Sequence, residues 1–206
     1  MKSIVNRDGA GDACANVSEA EMVSRAQECS EAFGPLYELY YGKILGYTYR
    51  RTLDACLAEE ITSSTFFNAM RALPQYEHRG SFSAWLYKIA TNEINVHRRN
   101  TNHQRGSNNT WHSELHRVWF ISPQGSREDA EEKMRAFAKL HESVENLPEK
   151  YRTAISLRYF EAMPYAEIAE VLGKRPGTVK SLVHRGLHHL RRQYKLKSHA
   201  EDFYEK

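Results

Sequence analysis

The side chains best suited to chemistry gather near the C-terminal end. Between residues 150 and 197, eleven Lys and Arg stand against three acids (Glu161, Glu167, Glu170), a local net charge of +8. A block of one sign on so short a segment makes a polyanion-binding surface. Inside it, Pro176-Gly177-Thr178-Val179-Lys180-Ser181 opens a helix. Thr178 and Ser181 are short hydrogen-bonding side chains three residues apart, so they share a face, and Gly177 leaves room for close backbone approach. Lys180, Arg185 and Arg191 reach further. A positive helix N-terminus suits a phosphate, and the first turns of such a helix can read base edges in a major groove. Arg175, Gly177, Thr178, Lys180, Ser181, His184 and Arg185 form this candidate reading set, with Val179, Leu182 and Val183 left to the core.

Other chemistries find less support. The chain has ten histidines, and His184 and His188 are four residues apart on one helix. Two histidines need further ligands to hold zinc, and no HExxH set accompanies them, so these residues join the basic face. No Ser/His/Asp arrangement, P-loop or GxGxxG fingerprint is present, so the sequence predicts no catalytic residues, no metal and no cofactor. Cys14, Cys29 and Cys56 are odd in number and irregular in spacing, which argues for a reducing cytoplasm and for isolated thiols acting as small buried side chains.

The elements that must position these residues are helical. Of the 206 residues, 41% are hydrophobic and 27% charged, enough for a core and too much for wholesale disorder. Pro164 opens a helix with Ile168, Ala169, Val171 and Leu172 inward, Gly173 closes it, and Pro176 opens the next. Two short helices joined by a turn that starts with Gly are a helix-turn-helix. Upstream, Phe82, Trp85, Leu86, Ile89 and Ala90 form a clean helical stripe, and Pro74 and Gly80 bracket a polar loop. The expectation is an all-α protein of two small helical domains joined by a flexible linker. The boundaries are a disordered acidic tail over 1–24, a first domain over 25–100, a linker over 101–145 carrying Trp111, Trp119 and Phe120, a helix-turn-helix domain over 146–197 and a tail over 198–206. The start is polar, and no apolar run approaches the roughly 18–20 residues of a membrane span, so neither a secretory signal nor direct membrane association is expected.

Two blocks together carry a resemblance. Leu147-Pro148-Glu149-Lys150-Tyr151-Arg152, Tyr165 to Gly173 and Gly177 to Ser181 resemble region 4 of extracytoplasmic-function (ECF) sigma factors, the small two-domain members of the sigma-70 family. Ala58-Glu59-Glu60-Ile61 with Thr65-Phe66 resembles the region 2.2 helix, and Gly80 to Ala90 with Asn92 resembles region 2.3 running into 2.4. The resemblance implies core RNA polymerase binding through Glu59, Glu60, Ile61, Ser64 and Thr65. It implies −10 promoter DNA recognition and melting through Tyr76, His78, Arg79, Phe82, Lys88, Asn92, Asn95, Arg98 and Arg99, and −35 recognition by the helix-turn-helix. A flipped base would be held by stacking and edge contacts at the Gln75–Ser81 loop. Trp85 reads as a core residue of its stripe, and Phe66 and Phe82 suit the core as well. Family members are usually held by an anti-sigma factor, which makes such an inhibitor a further expected partner.

This sequence departs from the family in places. Ser63 and Ser64 stand where Gln and an acid are common, Lys88 and Ile89 where housekeeping members have a Trp pair, Arg175-Pro176 for Ser-Glu, and Leu182 for Arg. The competing reading is a response-regulator-type helix-turn-helix protein acting without polymerase, against which the first block lacks the strands and acidic pocket of a receiver domain. The total charge of +3 hides an acidic N-terminal stretch, three bases against six acids over 1–31. Acidic segments of this kind are expected to weaken DNA binding by the free chain.

Overall fold

The computed structural model describes residues 18–77, 80–101, 143, 144 and 146–204, with side chains as far as residue 193 except at 100 and 101. His78 and Arg79, the linker aromatics and nearly all of the N-terminal tail lie outside them. Among the described residues the secondary structure is helical, without strands. Four helices build a first unit: α1 (Glu19–Glu28), α2 (Gly34–Thr52), α3 (Ala55–Ala72) and α4 (Phe82–Thr101). Three build a second: α5 (Glu149–Ile155), α6 (Tyr165–Leu172) and α7 (Pro176–Tyr204).

The first helix corrects the expected tail boundary. Ser18 is extended, and its hydroxyl accepts from the Glu21 N–H at 3.3 Å, an N-cap that starts α1 at Glu19 rather than after residue 24. Val23 and Ala26 then face the core, so two apolar positions suffice to dock a polar-looking helix. Leu36, Tyr40, Ile44 and Tyr47 of α2, Ile61, Phe66 and Ala69 of α3, and Leu86, Ala90 and Ile94 of α4 complete this core. Its buried hydroxyls pair across helices. Thr48 meets Thr62 and Tyr47 meets Thr91, each at 2.9 Å, so no cost of an unmet polar group arises there.

In the second unit α5 runs into a π-turn, Ser156–Phe160, closed by the Glu161 N–H donating to the Ser156 carbonyl five residues back. Gly173 ends α6 at φ +60°, a left-handed value that glycine adopts without strain. Helix α7 then crosses α5 at Gly186. A Cβ there would lie 2.6 Å from Ile155 Cδ1 and 3.2 Å from Tyr151 Cβ, so the hydrogen side chain sets the approach. Val144 packs with Leu147, Tyr151 and Ile155, which moves the start of this unit upstream of residue 146. At the other end α7 stays helical to Tyr204, beyond the expected boundary at 197.

The two units share one core, in which Ala154, Leu157, Ile168 and Val171 join the residues of α1–α4, with α6 lying against α4. Charges clasp the same seam. Arg51 is 1% exposed and donates to Glu149 and, at 3.2 Å, to Thr153 Oγ1, while Arg98 takes the other Glu149 oxygen. Glu161 accepts from Arg50 and, at 2.7 Å, from the Tyr87 hydroxyl. Burial works to raise the Glu149 carboxyl, but Arg51 and Arg98, with the Thr153 hydroxyl, hold it below its ordinary value of about 4.5.

Two outcomes follow. Because its pKa is depressed in the fold, Glu149 contributes stability that is present above about pH 4.5 and is lost as pH falls through the lowered value. Glu149→Gln should cost roughly 1–2 kcal/mol at pH 7, discounted from the fully buried case because the carboxylate is partly exposed. That deficit should shrink at pH 3, both read from urea midpoints. Gly186→Val should overpack the α5–α7 crossing and lower stability by about 1–3 kcal/mol in the same assay.

Candidate nucleic-acid interface

The candidate reading set lies on the exposed side of α7. Helix α7 begins at Pro176, with Thr178 and Val179 N–H groups donating to the Arg175 carbonyl at 2.9 and 3.2 Å. Val179 and Val183 are buried, which turns the rest of the first turns outward. Arg175, Gly177, Thr178, Lys180, Ser181, His184 and Arg185 are all exposed. The Ser181 hydroxyl donates to the Gly177 carbonyl at 3.0 Å, parked along the helix. Three cations, a histidine and two hydroxyls thus share one solvent-facing edge, able to meet phosphates and base edges together.

A second surface lies in the first unit. A cleft of about 440 Å³ is lined by Gln75, Tyr76, Glu77, Gly80, Ser81, Ala84, Trp85, Lys88 and Glu170. Its loop is braced from both ends. Gln27 Nε2 donates to the carbonyls of Leu73 and Tyr76 at 3.1 and 2.7 Å, and the Tyr76 hydroxyl donates to the Gly80 carbonyl at 3.1 Å. Below it, Phe82 stacks edge-on against Tyr40 and Tyr76 with centroids 5.6 and 5.7 Å apart, and Trp85 lies 4.9 Å from Tyr76. From the cleft, Lys88, Asn92, Asn95 and Arg99 recur at helical spacing on α4, with Lys88, Asn92 and Arg99 exposed and Asn95 half-buried. Cation, amide, amide, cation along one face can follow a single strand. Arg98 lies beside that line, engaged with Glu149.

The third surface is on α3. Glu59 and Glu60 are exposed and Ser64 half-buried, but Ile61 and Thr65 are 0% exposed. Thr65 donates its hydroxyl to the Ile61 carbonyl at 2.7 Å. Ile61 and Thr65 hold α3 in the core, on the side away from its exposed face. The outward face instead carries Ser63, Phe67 (56% exposed), Met70 and Arg71, with the Arg71 guanidinium 5.6 Å over the Phe67 ring.

Comparison with known proteins decides what these surfaces belong to. Residues 36–104 match the Sigma-70 region 2 family profile, and residues 137–190 match Sigma-70, region 4. The RNA polymerase sigma-H factor of Pseudomonas aeruginosa is 31% identical over 174 residues, covering 81% of this chain and 89% of that protein. The ECF RNA polymerase sigma factor BldN of Streptomyces coelicolor is 30% identical over 174 residues, 84% of this chain but 64% of the longer relative. This chain belongs to the ECF sigma factors of the sigma-70 family. CnrH, solved in complex with the cytosolic domain of CnrY, has the same fold, with a TM-score of 0.62 at 19% identity over 85% of this chain and 96% of that one. The chain is therefore a promoter-directing subunit of RNA polymerase, and the regulator reading that acts without polymerase falls away.

Within this sigma factor some residues move relative to the sequence reading. Phe82 is 3% exposed and supports the cleft from beneath rather than facing it. Trp85, read as core, is half-buried and lines the cleft. Phe67 and Met70 were missed, although Glu59, Ser63 and Phe67 are four apart and share a face by helical geometry alone. Gln27 was missed because its partners are 46 and 49 residues away. Cys29 and Cys56 are exposed rather than buried, the Cys29 thiol donating to Glu31. Among the described residues no group of three metal-ligating side chains converges, and no helix is long and apolar enough to cross a membrane. Since Phe82 is a floor and Trp85 a wall, Phe82→Ala should lower first-unit stability by about 3–5 kcal/mol. Trp85→Ala should cost clearly less; thermal denaturation followed by circular dichroism compares them.

Proposed function

We propose that the chain reads the −35 element with the exposed edge of α7 and engages the −10 strand with the α4 cleft and stripe. In the first role Arg175, Lys180 and Arg185 contact phosphates while Thr178 and Ser181 meet base edges, with Gly177 allowing the backbone close. In the second, Lys88, Asn92, Asn95 and Arg99 track the unpaired strand from a cleft walled by Tyr76 and Trp85, where one base can stack. His78 and Arg79, in the same loop, are assigned there from the resemblance. Glu59, Glu60, Ser63 and Ser64, joined by Phe67 and Met70, form the face offered to core polymerase. An apolar centre with a charged rim is what a stable interface needs.

The observation that carries this reading is the presence on one chain of two separate DNA-suited surfaces, one shaped for a duplex groove and one for a single strand. A duplex-binding regulator needs only the first. The chain performs no chemistry of its own and acts in the cytoplasm. An anti-sigma factor is its natural antagonist, a reading supported by the structural neighbour RpoE of Bartonella quintana, solved in complex with the anti-sigma factor NepR.

Run-off transcription with core polymerase on a genomic promoter pool tests this. The chain should confer initiation that core alone lacks, and none on any promoter would overturn the reading. Lys180→Ala with Arg185→Ala should reduce initiation about tenfold or more on −35-dependent promoters. Phe67→Ala should weaken holoenzyme assembly by about tenfold, measured as the affinity for core polymerase, while leaving the fold intact because the side chain is exposed.

A further inference from the structure

The cleft of the first unit is shaped in part by a residue that does not line it. Gln27 is the penultimate residue of α1 and is half-buried. Its Nε2 donates to the Leu73 carbonyl at 3.1 Å and to the Tyr76 carbonyl at 2.7 Å. Both acceptors belong to one short segment. Leu73–Gln75 is a single 3-10 turn, which the Tyr76 N–H closes on the same Leu73 carbonyl at 3.0 Å. Pro74, inside the turn, has no N–H to contribute. One carboxamide thus bridges the two ends of the turn with the two hydrogens of its NH2 group.

The turn sets how the cleft is built beyond it. At Tyr76 the backbone becomes extended, with φ −70° and ψ 120°, so the turn fixes the direction in which the loop leaves. It also fixes the root of the Tyr76 side chain. The hydroxyl of that side chain donates to the Gly80 carbonyl, and its ring lies 4.9 Å from Trp85 and 5.7 Å from Phe82. The cleft wall is therefore held at its backbone by α1 and at its tip by the far end of the loop. A second contact from α1 reaches the floor: Glu19 accepts from the Tyr40 hydroxyl, and Tyr40 meets Phe82 edge-on. Gln27 and Glu19 both lie before residue 36, where the Sigma-70 region 2 match begins.

We propose that Gln27 is a positioning residue for base capture: from α1 it fixes the turn at Leu73 to Tyr76, and so holds the Tyr76 wall where an unpaired base stacks. The proposal rests on the reading of the cleft given under Proposed function. A loop ordered in advance loses less freedom when a base enters, and it admits one orientation of that base rather than several. The residue type is specific to the task. Glutamate has the same length but turns the donor into an acceptor facing two carbonyls. Methionine has a similar length and no N–H.

The test uses holoenzyme made from core polymerase and the full chain. The probe is a library built on a promoter active in the run-off pool, randomised across its −10 element and, separately, its −35 element. Transcripts are sequenced to give the base preference at each position. Gln27→Met and Gln27→Glu should each flatten the preference at the captured −10 base by about fivefold, as a partial loss of base stacking would. The −35 preferences and the affinity for core polymerase should stay as in the wild type. Trp85→Ala should flatten the same −10 position. Val23→Ala loosens the packing of α1 but keeps the Gln27 donors, so it should lower the urea midpoint and leave the preference unchanged. In the free chain, hydrogen exchange of the Tyr76 amide should quicken about tenfold in Gln27→Met. The proposal is overturned if the Gln27 variants keep the wild-type preference, if they flatten every position alike, or if Val23→Ala flattens it as much. Should Trp85→Ala flatten the position while the Gln27 variants do not, only the positioning role fails. Should Trp85→Ala leave every −10 preference intact, the reading of the cleft fails and the positioning role with it.

Discussion

A guanidinium with almost no solvent exposure cannot be left without a carboxylate. Arg51 sits at the C-terminal end of α2, and its carboxylate, Glu149, comes from the first residue of α5, 98 positions along the chain. The desolvation cost of the arginine is met only if the second unit lies against the first. Around that pairing the rest of the seam arranges itself: Glu161 is placed by the π-turn to meet Arg50 and Tyr87, and α6 is laid on α4 with its apolar side down and its acidic side on the loop. The position of Glu170 at the cleft is a consequence of how that one charge is answered.

Much of this architecture is written in periodicity and punctuation. The turn residues Pro164, Gly173 and Pro176 mark the helix-turn-helix because each acts on its own backbone, within a few residues. The exposed set on α7 is equally legible, since placing Val179 and Val183 inward forces Lys180, Ser181 and His184 outward. What local pattern cannot convey is depth. Ile61, Thr65 and Phe82 belong to motifs that resemble functional segments, yet they face inward, because a motif marks a stretch of helix and packing decides which side of it is seen. Helix α1 escaped notice for the converse reason: its two buried positions are too few to register as a stripe, and its cap is a single serine.

Long-range pairing was the least legible of all. Neither Gln27, reaching the carbonyls of Leu73 and Tyr76, nor Arg98, turned aside to Glu149, shows any local signature. Charge counting reaches totals and not positions. The imbalance between an acidic N-terminal stretch and a basic C-terminal block suggested internal competition with DNA. The structure adds a different source of acid, the three glutamates in the interior of the basic block itself, together with Glu149 just before it.

The π-turn at Ser156–Phe160 has one more implication. A five-residue closure holds one residue more than an ordinary helical turn, and each helical residue advances side chains by about 100°. Glu161 therefore points at Arg50 only while that extra residue is present. Losing it would restore a regular helix and rotate everything after it, α6 included, out of phase with the seam. Relatives that keep the seam should thus tolerate changes of residue type across this turn far better than changes of its length, and the spacing from Glu149 to Glu161 becomes a sequence marker for the seam itself.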